Sequence, residues 1–171
     1  MAGMPILTLA QRNDRLKNEY DAMIKFPVTD LFRIALSPGQ KPPYVTSYTV
    51  TYYNKTLVKF SSGGVKPQMK TVVRIDLPED FPVAPPMATV IEGSYPHHPN
   101  WYISGRMCPG TIWEVGGWVW DFVVKIGRVL AFDPIVTTPS PPANREAAEY
   151  WKENYRKFPC GRIDFPHPRG Y

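Results

Sequence analysis

Proline is concentrated in the middle of this chain and limits the regular structure that can form there. The 171 residues include 20 prolines, and eleven of them fall between Pro78 and Pro142. The usual share of proline is about 5%, and proline interrupts both helix interiors and central strands because it lacks a backbone N–H. We therefore expect stiff, irregular connectors in the middle of the chain, between short regular elements.

The N-terminal part carries the signals of an amphipathic helix. Thr8 and Gln11 have the spacing of a capping box, in which a hydroxyl is followed three residues later by a glutamine. The helix must end by Phe26, because Pro27 follows it. Its apolar face is predicted to consist of Leu9, Leu16, Tyr20 and Met23.

Alternation of apolar and polar residues predicts strands after this helix. The predicted strands are residues 31–37, 44–53, 69–77 and 87–91. Residues 56–60 are predicted to form a short strand or an extension of a hairpin, followed by a Ser-Ser-Gly-Gly turn. The order of the elements predicts an antiparallel four-stranded meander.

Two further helices are predicted after a long irregular loop. The first covers roughly residues 120–132, and the second starts at the favourable N-cap Asn144. The buried stripe of the second is predicted to be Ala148, Trp151, Tyr155 and Phe158. We expect one α+β domain over residues 1–171: an N-terminal helix, the meander, a long active-site loop and two C-terminal helices, with a short extended tail over 159–171.

Charge, hydropathy and cysteine content exclude several classes of protein. The net charge is +5, but no basic block is interleaved with aromatic residues, so we expect no nucleic-acid partner. Two explanations of the positive charge remain: a mildly basic surface without a partner, or a basic face that binds an acidic protein partner. No run approaches the ~18 apolar residues of a membrane span, and residues 1–10 do not resemble a signal peptide. We expect a cytoplasmic protein without membrane contact, in which Cys108 and Cys160 are free thiols.

The loop over residues 95–113 is the candidate active site, because it collects chemically active side chains outside regular structure. His98-Pro99-Asn100 lies in it, eight residues before Cys108, and His97 is adjacent. A zinc site from His97, His98, Cys108 and Cys160 is disfavoured, because structural zinc sites use short paired spacings. We therefore expect no metal.

Four motifs, in order and at matching spacings, resemble the ubiquitin-conjugating enzymes over roughly residues 9–158. They are Phe-Pro-Val-Ala-Pro-Pro at 81–86, His98-Pro99-Asn100, Gly105-Arg106-Met107-Cys108, and Pro142-Ala143-Asn144. Trp113 or Trp118 stands near the position of the family tryptophan that precedes the second helix. The resemblance implies the α+β fold of this family, known as the UBC fold.

The resemblance also implies a reaction. Cys108 would accept a ubiquitin-like modifier as a thioester from an activating enzyme and transfer it to a lysine amine of a protein substrate. ATP would be used by the activating enzyme, so no cofactor is expected here. A free cysteine is already a few per cent thiolate at neutral pH, which suits such a transfer.

Other loop residues are assigned supporting roles. Asn100 would donate a side-chain hydrogen bond to the oxyanion of the discharge step, and it would also tie down the loop through backbone hydrogen bonds. His98 and Pro99 are expected to hold the loop, and His97, which replaces a family tyrosine, is grouped with them but could also lie near the thiol. Cys160 is predicted to be a bystander at a helix end.

Departures from the family pattern bear on the partners. Pro109-Gly110 replaces the usual Leu-Asp pair, and residues 118–121 replace a Trp-Ser-Pro-Ala loop where ligases dock, so ligase recognition is doubtful. The divergence suggests a prokaryotic member, acting with a bacterial modifier in antiviral defence. The family contacts its activating enzyme through the first helix, where Arg12, Arg15 and Lys17 could bind an acidic partner or form a solvated face.

Two points stay open in the sequence. The group that deprotonates the acceptor lysine is undefined, because the family position just before the Pro-Ala-Asn proline is Pro141, and neither Glu114 nor Asp121 is selected by its spacing. Two other functions also compete: a non-catalytic binding module on the same scaffold, and a Cys/His hydrolase. The module variants lose the cysteine that is present here, and the hydrolase would need a suitably placed histidine among the three in the chain.

Overall fold

The structure is a computed structural model that describes residues 7–110, 112–137, 141–154, 156 and 163–171. The elements in chain order are α1 (Leu9–Met23), β1 (Phe32–Leu36), β2 (Ser47–Tyr52), β3 (Thr56–Lys59), β4 (Val65–Gln68), β5 (Thr71–Asp76), β6 (Met87–Glu92), α2 (Val119–Leu130) and α3 (Arg145–Asn154). This is the predicted α+β UBC fold, with an N-terminal helix, a four-stranded antiparallel sheet and two C-terminal helices.

The main sheet is antiparallel throughout, in the order β1-β2-β5-β6. Apolar residues face each other across its centre, as in the pairs Val50–Val73 and Tyr48–Ile75, and form the inner face against the helices. Alternation along each strand explains why these positions are buried while Arg74 on β5 is exposed. The predicted four-stranded arrangement is confirmed.

A separate two-stranded sheet forms from β3 and β4, which lie between β2 and β5 in the chain but outside the main sheet. The strand β4 was not anticipated from the sequence, which predicted only a turn after residue 60. Its Val-Lys-Pro-Gln sequence does not alternate, and Pro67 is unfavourable in a central strand. Pro67 is tolerated here because β4 lies at the edge of its sheet.

The first helix begins with the predicted capping box. Thr8 Oγ1 accepts a hydrogen bond from the Gln11 N–H at 3.3 Å, and Gln11 Oε1 accepts one from the Thr8 N–H at 2.9 Å. Leu16 and Met23 are buried as predicted, but Leu9 is 74% exposed, so its assignment to the buried face is wrong. Leu9 is the first residue of α1, at the end of the helix remote from the packed part of this face.

The buried carboxylate of Glu19 joins the first two helices. Glu19 is fully buried, and its carboxylate bonds Arg15 on one oxygen and accepts the Val119 N–H at 2.9 Å on the other. Val119 is the first residue of α2, whose preceding residue Trp118 makes no capping bond with its side chain among the described residues. Glu19 therefore supplies the missing cap, and its negative charge suits the positive end of the helix.

Residues 163–171 pack across α2 without forming a helix or strand. Phe165 is buried, and its ring lies so close to Gly127 of α2 that an ideal Cβ there would be 2.5 Å from the Phe165 Cζ. The Arg169 N–H donates to the Lys25 carbonyl beyond α1, and Tyr171 packs edge-on against Trp118. This part of the tail is therefore integrated with the domain.

The remaining sequence expectations for the C-terminal half are met in part. Helix α2 begins and ends within two residues of the predicted bounds. In α3, Ala148 is buried and Trp151 is partly buried, whereas the predicted stripe residues Tyr155 and Phe158 lie outside the described residues. Among the residues described, no helix is both long enough and apolar enough to cross a membrane.

We predict that Phe165→Ala lowers the free energy of unfolding by about 3 kcal/mol, because truncation of a buried phenylalanine leaves a cavity. Gly127→Ala should also destabilise, because its new methyl group overlaps the Phe165 ring. Urea denaturation followed by circular dichroism measures both. Arg169→Ala, which keeps the backbone bond to Lys25, is the control and should change stability by less than about 0.5 kcal/mol. A Phe165→Ala effect as small as that of the control would show that the tail is not part of the core.

Candidate active site

The motif residues 100–108 form a tight hairpin. The Tyr102 N–H donates to the Arg106 carbonyl at 2.8 Å, the Cys108 N–H donates to the Asn100 carbonyl at 2.8 Å, and Trp101 and Met107 form a bridge between them. Asn100 and Cys108 are therefore directly opposite each other, and Cα atoms of opposite residues lie about 5 Å apart. The eight residues that separate Asn100 from Cys108 in the sequence are thus the spacing that this hairpin needs to pair them.

The turn and the inner face of the hairpin fix it to the sheet. Gly105 has a φ of +86°, which disfavours any residue with a Cβ, and its carbonyl accepts the Trp101 indole N–H at 2.9 Å. The Met107 N–H donates to the Ala88 carbonyl of β6. Trp101 has no exposed surface and Met107 is buried, so both anchor the loop in the core.

Cys108 lies at the border between the protein and solvent and is half-buried. Gly110 passes close to it, since an ideal Cβ at Gly110 would lie 3.5 Å from Cys108 Sγ. Because glycine has no side chain, Gly110 itself does not cover this side of the sulfur. The exposed Tyr102 lies on the same face of the hairpin, and its interaction with the neighbouring Cys108 raises the pKa of Tyr102 above its ordinary value.

The proximity of Tyr102 and Gly110 to Cys108 was not identified from the sequence. Tyr102 is six residues from Cys108 and carries no motif signal. The alternation of faces in a hairpin that starts at Asn100 would have indicated it, because residues 100, 102, 106 and 108 then share one face.

His98 lies in the core beneath the hairpin, with no exposed surface. Its Nδ1 accepts the Asn100 N–H at 3.0 Å, which places the ring proton on Nε2, 3.4 Å from Thr137 Oγ1. Thr137 donates its own proton to the Asp133 carbonyl at 2.8 Å, so its oxygen can accept one from His98. Burial, and secondarily the neighbouring His97, lowers the pKa of His98 to about 3. The ring is therefore neutral at physiological pH.

The Asn100 side chain is buried and points towards the segment that follows α2. Its Nδ2 donates to the Val136 carbonyl at 3.0 Å. Asn100 thus makes three contacts: its side chain binds the segment after α2, its N–H donates to His98, and its carbonyl accepts from Cys108. The side-chain amide is therefore held within a hydrogen-bonded framework formed by the loop and the segment after α2.

Pro99 and His97 attach the same loop to α3 and β3. The Pro99 carbonyl accepts the N–H groups of Ala143 and Asn144, at 2.8 and 3.2 Å, just before α3 begins. The His97 N–H donates to the Leu57 carbonyl of β3, and its ring packs edge-on against Tyr150 of α3 at 5.6 Å. Burial lowers the pKa of His97 despite the opposing charge of Glu146.

The three basic residues of α1 differ in their engagement. Arg15 binds the carboxylate of Glu19 and the carbonyls of Gly116 and Gly117. Arg12 donates to the carbonyls of Pro78 and Glu79. These contacts hold Arg12 and Arg15 against neighbouring loops, while Lys17 is exposed and pairs with Asp21.

The remaining candidates fall into three groups. Trp113 packs against Phe81 at 5.8 Å, whereas Trp118 lies beneath the Arg15 guanidinium. Asp121 pairs with Lys125 and Glu114 is exposed, so neither carboxylate is directed to the thiol by a described contact. Cys160 lies outside the described residues. Within the described ranges there is no group of three or more His, Cys, Asp or Glu residues that could hold a metal ion.

We predict that the free energy of unfolding falls as pH decreases from about 6.5 towards about 3, because the unfolded chain protonates His98 at its ordinary pKa of 6.5 and the folded chain does not. His98→Gln should lose this part of the pH dependence, about 1.4 kcal/mol per pH unit within that range. Urea denaturation between about pH 7 and pH 5 measures it. Thr137→Val, which keeps the buried ring, should retain the wild-type slope, and parallel slopes for wild type and His98→Gln would contradict the assignment.

Comparison with known proteins places this geometry in a family. Residues 42–160, more than half of the chain, match the model of the ubiquitin-conjugating enzymes. S. cerevisiae Ubc12 is similar in structure, with 18% identity and a TM-score of 0.53 over 87% of this chain and 74% of that chain. A ubiquitin conjugating enzyme E2 from Plasmodium falciparum is 19% identical, with a TM-score of 0.50 over 69% of this chain and 96% of that chain.

At these identities the structural likeness shows the fold alone. No curated protein matches the sequence significantly. The family model is the finding that reaches beyond the fold, because it spans β2, the hairpin with Cys108 and the helices that follow. The chain belongs to the ubiquitin-conjugating enzyme family.

Proposed function

We propose that this protein is a ubiquitin-like conjugating enzyme that carries a modifier as a thioester on Cys108 and transfers it to a lysine of a target protein. One observation carries the proposal: a half-buried thiol lies directly opposite Asn100 in a hairpin whose backbone is hydrogen-bonded to β6. A sulfur that is partly accessible on a rigid loop suits an acyl carrier, because a partner can reach it without rearranging the loop.

The loading step transfers an acyl group from sulfur to sulfur. The Cys108 thiolate adds to the carbonyl carbon of the modifier thioester on the activating enzyme, and the bond from that carbon to the first sulfur breaks. The leaving thiolate takes up a proton, which balances the one that Cys108 lost. The absence of a side chain at Gly110, next to the sulfur, favours this approach.

The discharge step forms the isopeptide bond. The lysine amine adds to the thioester carbonyl, the amine loses a proton, and the carbon–sulfur bond breaks to restore the Cys108 thiol. Negative charge builds up on the carbonyl oxygen before that bond breaks, and an amide N–H nearby lowers the barrier. We assign this donor role to Asn100, in addition to its bond to Val136. His98, Pro99 and His97 then serve to hold the loop.

The partners follow from the same proposal. We expect a modifier protein, an activating enzyme that uses ATP, and a protein substrate, with ligase involvement doubtful. On α1, Lys17 is the basic residue that an acidic activating enzyme would reach first, because Arg12 and Arg15 are bound to neighbouring loops. A prokaryotic origin and a role in antiviral defence remain predictions from the divergence of the motifs.

We predict that the protein forms a thiol-sensitive adduct when it is incubated with ATP and its cognate activating enzyme and modifier. Cys108→Ala should abolish the adduct, and Cys108→Ser should form an oxyester that resists reducing agent. Gel shift with and without dithiothreitol measures this, and Cys160→Ser is the matched control that should load normally. An adduct that persists in Cys108→Ala, or none with the cognate partners, would favour a non-catalytic binding module.

We predict that Asn100→Ala forms the thioester at close to the wild-type rate but discharges it to lysine about 10²–10³ times more slowly, as expected for loss of one oxyanion donor. Single-turnover loading and discharge assays separate the two steps. Because Asn100 also bonds Val136, Asn100→Asp is the companion variant, which keeps the size of the side chain but lacks the N–H donors. Equal loss in both steps would indicate that the residue only supports the loop.

A further inference from the structure

The two edges of the main sheet differ in what covers them. The edge at β6 is occupied by the hairpin, because the Met107 N–H donates to the Ala88 carbonyl and the Val90 N–H donates to the Gly105 carbonyl. The opposite edge is β1, which has no neighbouring strand on its outer side among the described residues. Adjacent strands lie about 4.8 Å apart, so about 14 Å separates the two edges. A molecule bound at β1 would therefore leave the hairpin accessible.

The register of β1 shows which of its backbone groups face outward. The Leu31 carbonyl and the Ser37 N–H hydrogen bond to the segment of β2, so odd-numbered positions face that strand. In an antiparallel pair such positions alternate with positions whose N–H and C=O point the other way. Of the outward positions, Phe32 is buried, whereas Ile34 is partly exposed and Leu36 is exposed. The last two have no backbone hydrogen-bond partner in the described part of the chain, which makes them a template for another strand.

A cavity of about 590 Å³ lies along this edge, between β1 and the end of α1. All five residues of β1 line it, together with residues 26–29, which connect the helix to the strand. Its walls are mainly apolar, and three apolar lining residues are exposed, namely Ile24, Val28 and Leu36. The volume is in the range of ligand-binding pockets. The free backbone groups of β1 are therefore next to a space that can receive apolar side chains.

A buried hydroxyl among the lining residues also lacks a partner. Tyr48 lines the cavity and has no exposed surface, and its hydroxyl makes no hydrogen bond within the described residues. Tyr52, two residues further along β2, differs because its hydroxyl donates to the Val123 carbonyl at 2.8 Å. An unpaired buried hydroxyl is unfavourable, and a polar atom that entered the cavity and bonded it would remove this cost. The unpaired hydroxyl is a second indication that the cavity receives an occupant.

Charge indicates which kind of chain fits this edge. Among the described residues that line the cavity, Arg33 is the one that carries a charge. It is exposed on the outer face of β1, with its guanidinium 5.8 Å from the centre of the Tyr53 ring. An acidic side chain opposite Arg33 on an added strand would be favourable, and a basic one unfavourable. Two copies of this chain paired through β1 would place two Arg33 side chains on one face, and the net charge of +5 also opposes that pairing.

We propose that β1 is the docking site for an extended segment of another protein, which adds to the main sheet as a further strand. Bonds to the backbone of Ile34 and Leu36 require an extended chain, and the cavity requires apolar side chains at alternate positions. Arg33 requires an acidic residue between them. This inference does not rest on the proposed function, because it concerns the sheet edge remote from Cys108.

We predict that the full chain binds a fluorescent peptide of roughly nine residues, in which valine alternates with threonine and the central threonine is replaced by glutamate. N-methylation of the valines, whose N–H groups would face β1, should weaken binding at least about tenfold. N-methylation of the threonines, whose N–H groups would face solvent, is the matched control and should leave binding unchanged. Fluorescence anisotropy measures the Kd, and these peptides require no change to the protein.

Variants of the chain test the same contacts from the other side. Ile34→Pro removes an outward N–H that β2 does not use, which an edge strand tolerates, and should abolish binding. Ile34→Ala keeps that N–H and should weaken binding less. Arg33→Glu should weaken binding of the glutamate peptide about threefold and strengthen that of its lysine counterpart. Lys41→Glu, at an exposed lysine outside the cavity, should change neither, and circular dichroism verifies that each variant is folded.

Three results would overturn the proposal. The first is no binding of the glutamate peptide at about 1 mM, the concentration range of very weak complexes. The second is an equal effect of the two N-methylated peptides, which would exclude strand addition. The third is a dimer in analytical ultracentrifugation that Ile34→Pro dissociates, which would assign this edge to a second copy of the chain. Thioester formation on Cys108 is measured separately, so either function can fail without the other.

Discussion

A neutral imidazole in the core connects the candidate active site to the rest of the fold. His98 accepts a backbone hydrogen bond from Asn100 on one ring nitrogen and faces Thr137 with the other. A protonated ring would lose the first bond and place a charge in an apolar core, which is unfavourable. The hairpin with Cys108 is therefore held in place by a histidine that does not ionise. Its role is that of a polar spacer with one donor and one acceptor.

The end of α2 is shaped to meet this imidazole. The N–H groups of Phe132 and Asp133 donate to the carbonyls of Val129 and Arg128, the pattern of a Schellman motif. Phe132 occupies the left-handed position of the motif with a φ of +57°, where glycine is usual and other residues are strained. Its ring lies 4.5 Å from that of His98. A glycine would relax the backbone but remove the wall of the histidine site, so packing explains the strained residue.

Sequence patterns predicted those features that neighbouring residues determine. The capping box of Thr8 and Gln11 and the order of the elements follow from spacing and alternation, which adjacent residues determine. The strand Val65–Gln68 was missed because its pairing with β3, and not its own pattern, makes it a strand. Arg15 was a candidate for a partner contact or a solvated face, because a sequence does not show that it meets Glu19 and two distant carbonyls. The proximity of Tyr102 to Cys108 likewise depends on hairpin register.

The same network bears on how the site would stabilise charge. Asn100 is bonded to the Val136 carbonyl, the Val136 N–H donates to the Asp133 carbonyl, and the Asp133 carboxylate binds Arg128 of α2. The Asn100 amide is thus oriented by the segment that follows α2. Dipoles that are already oriented need no reorganisation when charge develops in a reaction. Under the proposed function, the rigid connection between α2 and the loop would therefore serve the chemistry as well as the fold.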